Sequence, residues 1–489
     1  MYSWIGSIIV IFVSVILVTH FRRSKYKNFP PGPIGLPILG YLPFLGSEPF
    51  RTLHELRRKN GNVFSLYLGQ TYVVVLGDYI AVKEAFSLSS TTDRPEKIFD
   101  FLPDGVGFSS VNGEEWVEQR RYCVRAMRDL GLGRSNWERS VQAEVEDFVS
   151  LIEKQNGLPI DVCKLLSSSV SNNISSLLFG KRLPVGDPTR DRMDQGINVV
   201  SRFFSQSGLR LYFPFLVDVL VKLGITEYAR IHQKLVDFNR FIREEVQQRK
   251  TVTKNEDLDI FIDGYIQEME KCKSIPGSTF NDKNLCGNVQ ALLVGGSDTT
   301  RTSINWLLLA MASFQHIQMQ VHAELDTVLG KEGKITWSER ARVPYTFAAI
   351  MEGQRWKTVA PINTSRIAMD DIRICGYDIP KGTTIIANNW GLHNDTKYWK
   401  DPEVFDPKRF LTEDGKQLKL RPESYVPFSF GKRNCPGETV ALMEILLYFA
   451  TLMQKFEVLP PHGSRPKMDA ILGLTYQAVE QKLRFIPRQ

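Results

Sequence analysis

The stretch Phe428-Ser429-Phe430-Gly431-Lys432-Arg433-Asn434-Cys435-Pro436-Gly437 sets one cysteine among glycines, and the apolar run from Thr439 to Leu447 follows it with helical spacing. Pro436 suits the first position of that helix, where its missing N–H has no intrahelical acceptor to lose. Cys435 then sits at a helix N-terminus, where orphan N–H groups and the positive end of the dipole favour a thiolate. Gly431 and Gly437 allow a tight turn or close approach to a flat ligand. Phe428 can shield the sulfur, and Arg433 offers a fork suited to a carboxylate.

A lone buried cysteine is usually structural. The simplest ligand that wants a thiolate on one face and cations at its carboxylates is haem, and a cysteinate axial ligand favours O–O cleavage. The whole pattern Phe-x-x-Gly-x-Arg-x-Cys-x-Gly is intact here. It resembles the haem-binding loop of the cytochrome P-450 family, and the resemblance implies haem b with Cys435 as the iron ligand.

Composition sets the limits. The 489 residues are 43% hydrophobic and include eight tryptophans, enough for a large core. The balance of 61 basic against 54 acidic residues gives +7, modest for this length and in keeping with an acidic partner or membrane surface rather than nucleic acid. Cys123, Cys163, Cys272, Cys286, Cys375 and Cys435 are scattered, with neither Cys-x-x-Cys nor zinc spacing.

From Trp4 to Phe21 the chain is apolar, interrupted by Ser7, Ser14, Thr19 and His20. At ~1.5 Å per residue it spans about 27 Å, close to the ~30 Å bilayer core. A cleaved signal peptide competes with this reading, but Phe21-Arg22-Arg23 stands where small residues would. Arg22, Arg23, Lys25 and Lys27 follow the segment, which places the body in the cytosol. The expected division is an anchor over 1–21, a basic and proline-rich hinge over 22–40 built on Phe29-Pro30-Pro31-Gly32-Pro33, and a catalytic domain over 41–489.

Beyond the hinge, the pattern predicts a helix from Pro49 to Arg58, strands over Val63–Leu68 and Tyr72–Leu76, and a helix from Ile80 to Phe86. The irregular segment from Ile98 to Val111 offers Phe99, Phe101, Val106 and Phe108 to a pocket. Val199 to Ile225 carries an aromatic cluster, including Phe203 and Phe204, that suits a core, a cavity roof or a membrane contact.

Trp116 and Arg120 share a helix face at i, i+4, and Arg121, Arg125 and Arg128 continue a basic strip. The stretch from Asn288 to Ala310 reads as one long buried helix interrupted by Gly295-Gly296-Ser297-Asp298-Thr299-Thr300. Two glycines cost about 1 kcal/mol each in a helix interior, so they point to close approach of a ligand or a kink. A threonine hydroxyl there can bond dioxygen, and Asp298 can relay protons. Glu352 and Arg355 pair at i, i+3. Val359–Thr364 and Leu472–Leu474 are further candidate pocket walls.

The P-450 resemblance extends through these motifs in order after the hinge. It implies a mainly α fold with small β-sheets, a single large haem-binding domain behind an N-terminal transmembrane helix. Trp116, Arg120 and Arg366 would contact haem carboxylates together with Arg433, while Phe428 and Gly437 frame the haem loop. Gly296, Asp298 and Thr299 would serve catalysis, although Gly295 stands where the family more often has Ala. Glu352, Arg355 and Arg409 would form a buried structural triad.

The implied reaction is monooxygenation of a hydrophobic small molecule (steroid, fatty acid or xenobiotic) at the endoplasmic reticulum membrane. NADPH-derived electrons would arrive through a flavoprotein reductase, with a cytochrome b-type donor as a further partner. The alternatives are a haem-thiolate isomerase or dehydratase acting on peroxides, and a non-catalytic haem sensor.

Overall fold

In the computed structural model, the described residues are 28–96, 104–130, 135–206, 214–224, 227–252, 260–330 and 332–488. The expected anchor, Phe99 and Phe101, and the side chain of Phe204 lie outside them. Among the described residues no helix is long and apolar enough to cross a membrane.

The helices are α1 (Pro49–Asn60), α2 (Tyr79–Ser87), α3 (Gly113–Leu130), α4 (Ser135–Glu153), α5 (Val162–Phe179), α6 (Pro188–Gln206) and α7 (Pro214–Lys222). They continue as α8 (Glu227–Val252), α9 (Phe261–Cys272), α10 (Asp282–Ser313), α11 (Gln315–Leu329), α12 (Pro344–Trp356), α13 (Asn389–His393) and α14 (Glu438–Lys455). Among the described residues ten short strands accompany them: β1 (Val63–Leu68), β2 (Thr71–Leu76), β3 (Arg366–Ile367), β4 (Ile372–Ile374), β5 (Tyr377–Ile379), β6 (Thr384–Ala387), β7 (Phe456–Leu459), β8 (Ala470–Leu472), β9 (Tyr476–Ala478) and β10 (Arg484–Pro487). The architecture is mainly α with small sheets, as expected.

The long axis is α10, 32 residues and so about 48 Å. Asn281 starts it by accepting a hydrogen bond from the Asn284 N–H. Most of its length is buried on every side, which suits a helix through the middle of a large core. Its C-terminal half packs with α12 and α14, and its N-terminal half with α5, α8 and α9. The glycine pair neither breaks nor ends it.

The predicted hairpin forms β1 and β2, which pair antiparallel from Val63↔Leu76 to Leu68↔Thr71. β6 joins β2 in parallel and β3 joins β6 antiparallel, so the order is β1-β2-β6-β3. This sheet carries Arg366 at the start of β3.

The proline-rich stretch departs from expectation. From residue 28 it lies against the domain rather than spanning a gap. The Pro31 carbonyl accepts from the Ser65 N–H at 2.7 Å, the Pro30 carbonyl accepts from Ser65 Oγ at 2.9 Å, and Gly40 bridges Leu68. Prolines lack the N–H but keep the carbonyl, so they can still accept from an edge strand. Gly32 is needed for this fit, since a Cβ there would lie 1.6 Å from the Ser65 carbonyl oxygen. The packed domain therefore begins before the expected boundary at 41.

Candidate active site

A cavity of about 360 Å³ opens between α10, α14 and the loop before α14. Its wall is apolar along Val106, Phe108, Val200, Val294, Val359 and Leu474. Cys435, Thr299 and four arginines reach it as well.

The cysteine loop is shaped by backbone bonds. Phe428 accepts from the Cys435 N–H at 2.8 Å, Val426 from the Ser429 N–H at 3.0 Å, and Gly431 from the Asn434 N–H at 3.0 Å. Gly431 has φ +75°, and a Cβ on it would lie 2.0 Å from the Phe86 carbonyl oxygen, so its glycine answers to α2 rather than to a ligand. Gly437 has only open space beside it. The helix begins at Glu438 with Gly437 as its N-cap, so Pro436 precedes the helix instead of opening it. Cys435 is exposed on the cavity side. The surrounding protein removes it from bulk water and pushes its thiol pKa up; the Gly437 amide draws it down, Glu438 raises it and Arg120 lowers it.

Arg94, Arg120, Arg366 and Arg433 converge on the same cavity. Burial, with Arg94, Arg433 and Arg120 nearby, pushes Arg366 down to about 8. Burial, Arg94 and Arg120 do the same to Arg433, with Asp93 opposing, and Arg94 falls to about 10. A guanidinium does not surrender its proton in proteins, so this strain amounts to a demand for negative charge.

Arg433 departs from its expected role as a free fork. Its Nε donates to Thr92 O at 2.7 Å, Nη1 to Phe108 O at 3.0 Å, and Nη2 to Val111 O at 2.6 Å. Its guanidinium carbon stands 4.2 Å from the Trp116 ring centroid, a cation–π contact. Trp116 and Arg120 lie on α3 as expected, but Arg120 donates to the Asn434 backbone oxygen at 2.8 Å and to its Oδ1 at 2.7 Å. Among the described residues, Arg366 Nε and Nη1, Arg94 Nε and Trp116 Nε1 are buried donors with no hydrogen-bond partner, and so is Gln290 Nε2 on the cavity wall.

Above the cysteine, Thr299 Oγ donates to Gly295 O at 2.7 Å while Thr299 and Gly295 both line the cavity. A Cβ on Gly295 would meet nothing within 4 Å, whereas one on Gly296 would meet Ile174 Cδ1 at 2.9 Å. Both glycines line the cavity; Gly295 has open space beside it, while Gly296 also lets α10 close on α5.

Asp298 is placed differently from the expectation. It is fully buried, pairs with Arg301, and accepts from Thr475 Oγ1 at 2.7 Å, Gln477 Nε2 at 3.1 Å and Ser201 Oγ at 3.3 Å. It fastens α10 to the β8–β9 hairpin and α6, and its carboxylate is not part of the cavity wall. One residue from Thr299, it is turned about 100° around the helix from that side chain.

The triad assembles as expected. Arg355 donates Nε and Nη2 to Glu352, each at 2.7 Å, and Arg409 Nε approaches Glu352 at 3.4 Å. Arg355 also donates to His393 O at 3.0 Å.

A family model described as Cytochrome P450 matches residues 30–485. The chain belongs to the cytochrome P450 family. It is 33% identical over 487 residues to cytochrome P450 2J5 of Mus musculus, covering 99% of this chain and 96% of that protein. It is 34% identical over 485 residues to cytochrome P450 2J2 of Homo sapiens, covering 97% and 95%. Against cytochrome P450 2D15 of Canis lupus familiaris the identity is 35% over 467 residues, covering 93% and 92%.

The chain is accordingly an oxidoreductase of the monooxygenase type, in a family whose haem iron is held by a cysteine thiolate. The residues present fit that group. A haem brings two carboxylates, and the unpartnered N–H donors of Arg94 and Arg366 belong to the cavity wall, with the indole N–H of Trp116, the ring Arg433 covers, unpartnered as well. Sequence reasoning missed Arg94, whose Nη1 donates to Thr364 O at 2.5 Å and Ser365 O at 2.9 Å. An arginine before Pro95 in an irregular segment reads as a surface residue, and nothing local to it signals burial.

Proposed function

We propose that this cytochrome P450 inserts one oxygen atom from O2 into a hydrophobic small molecule, with Cys435 as the iron ligand. One observation carries the reading. Cys435, an arginine cluster lacking counter-charge, and the Thr299 hydroxyl share one cavity whose remaining wall is apolar. When bound there, haem supplies dioxygen activation, favoured by a thiolate ligand.

The chain's own residues then have separate tasks. Cys435 Sγ gives the metal a donor, and a metal deprotonates a coordinating thiol outright. Arg94, Arg120, Arg366 and the Trp116 indole N–H hold the carboxylates; Arg433 adds charge while bracing the loop to residues 92–112. Thr299 holds its proton toward Gly295 O and keeps lone pairs free to accept a hydrogen bond from the cavity. Asp298 acts by fixing α10 in place. The apolar wall selects a neutral, hydrophobic substrate (steroid, fatty acid or xenobiotic) and excludes bulk water.

Electrons come from NADPH through a flavoprotein reductase, with a cytochrome b-type donor as a second source. Their dock is the surface depression lined by Arg121, Arg125, Arg128 and Lys432, where exposed Val117 and Val124 add apolar contact. Residues 1–21 anchor the chain in the endoplasmic reticulum membrane with the body in the cytosol.

Reconstitution with reductase and NADPH tests this reading. Wild type should turn over a lipophilic substrate with oxygen incorporated from O2. Thr299→Ala should go on consuming NADPH while product falls; full coupling in that variant would remove Thr299 from the mechanism.

A further inference from the structure

The segment 104–109 forms the part of the cavity wall carrying Val106, Phe108 and Ser109. Its later half is seated directly on α10. Gly107 has φ +44°, and a Cβ there would lie 2.1 Å from Asn288 Oδ1. The same Asn288 Oδ1 accepts from the Phe108 N–H at 2.8 Å. Gly287 makes the matching approach, where a Cβ would lie 2.5 Å from the Gly107 nitrogen. This half is held by backbone fit and by a buried amide.

The earlier half also touches α10, where a Cβ on Gly287 would lie 3.0 Å from the Asp104 carbonyl oxygen, but its side chain is held by charge. Asp104 has a side chain 2% exposed, and among the described residues its carboxylate hydrogen-bonds only to Arg243, through Nε at 2.8 Å and through Nη2. Arg243 stands on α8 with 55% of its side chain in solvent, away from the cavity. The other ionic ties of α8 run to helices or their ends: Arg249 to Asp263, Lys250 to Asp282, Glu244 to Arg192 and Glu245 to Lys181. Among the described residues, Arg243 alone carries an ion pair from α8 to this wall segment.

We propose that the Arg243–Asp104 ion pair pins segment 104–109 against α8 and α10, making Arg243 a positioning residue for substrate admission. The pin works because its two halves differ in burial. Without Arg243, Asp104 is a buried carboxylate with no counter-charge, a state relieved by swinging that end of the segment into water. The swing carries Val106 and Phe108 with it and opens the wall, while Cys435 and the arginine cluster keep their places. The proposal rests on the reading of this cavity as the substrate site.

The test uses the full-length, haem-loaded enzyme in phosphatidylcholine vesicles, with two independent readouts. Amide hydrogen exchange at 104–111 reports the pin without any ligand. Stopped-flow binding of phenylimidazole, an apolar ligand with a visible haem signal, reports admission.

In Arg243→Ala, exchange should speed up at least about tenfold, and phenylimidazole entry and exit should each rise about tenfold with Kd within about threefold. Asp104→Asn should behave alike, and the double variant should go no further than either single one, since both remove the same pair. Arg243→Lys, which keeps the charge but not the fork, should fall between. Unchanged exchange in Arg243→Ala would overturn the pin. Faster exchange with unchanged ligand rates would overturn its part in admission, as would effects that multiply in the double variant. A wild-type protein that holds haem but binds no phenylimidazole would overturn the reading of the cavity itself, and the proposal with it.

Discussion

Replacing Arg366 by leucine should move the haem-free and haem-bound proteins in opposite directions. Arg366 is 1% exposed, its Nε and Nη1 lack partners, and its one strong bond is from Nη2 to Phe430 O at 2.6 Å. The descent from the ordinary guanidinium range to about 8 caps the cost of its charge in haem-free protein at about 6 kcal/mol, at ~1.36 kcal/mol per pKa unit. Water entry would reduce this to roughly 2–3 kcal/mol, since effective interior dielectrics exceed the dry value. Arg366→Leu removes that cost from haem-free protein. In the loaded protein it deletes a charge-assisted hydrogen bond worth ~1.5–3 kcal/mol, or about 10–150-fold in haem release. Urea unfolding of haem-free protein, followed by tryptophan fluorescence, and transfer of haem to an acceptor protein read the two effects separately. If both forms were destabilised alike, the arginine would be ordinary packing and the anion-site reasoning would fail.

The glycine pair should separate by position. Gly295→Ala should stabilise α10 by up to about 1 kcal/mol while narrowing the cavity and weakening binding of bulky ligands. Gly296→Ala should instead destabilise by ~1–3 kcal/mol through Ile174; melting curves and ligand titrations check both. Glu444, buried on α14 and lining the cavity, has both carboxylate oxygens without a geometric partner, and burial raises its pKa to about 8 with Asn173 opposing. The folded protein then holds a proton that the unfolded chain releases near 4.5. Stability is therefore full below about pH 4.5 and declines as pH rises toward 8, by at most about 5 kcal/mol. Glu444→Gln should flatten that contribution, and thermal unfolding between pH 5 and 8 would show no difference in slope if the assignment were wrong.

Much of this molecule was legible where the signal is local. The strand pair at 63–76, the helices beginning near Pro49 and Ile80, and the cysteine loop all follow from short patterns of polarity and turn residues. The triad was readable because Glu352 and Arg355 sit one helical turn apart, and Arg409 followed from the family resemblance. Side-chain direction and distant partners were not legible. Asp298 looked catalytic beside Thr299, yet one residue along a helix turns a side chain by about 100°, and Thr475 and Gln477 were waiting on that other side. Arg433 seemed free because the carbonyls of Thr92, Phe108 and Val111 are more than 300 residues distant in sequence. A separation of 270 residues likewise hid Arg94, whose burial depends on residues 364 and 365. The prolines of the hinge suggested a stiff, extended spacer, and their packing went unread because their carbonyls, unlike their missing N–H groups, leave no mark on a pattern.

Every role proposed for this cavity depends on the atom bound to iron. The direct measurement is the reduced carbon monoxide spectrum, with haem content, of the purified wild type beside Cys435→His. Wild type should hold about one haem per chain, the family's stoichiometry, and give the absorption typical of a thiolate-ligated carbon monoxide complex; Cys435→His should lose that absorption even where haem stays bound. An unchanged thiolate spectrum in Cys435→His, or a wild-type protein that takes up no haem when it is supplied, would contradict it.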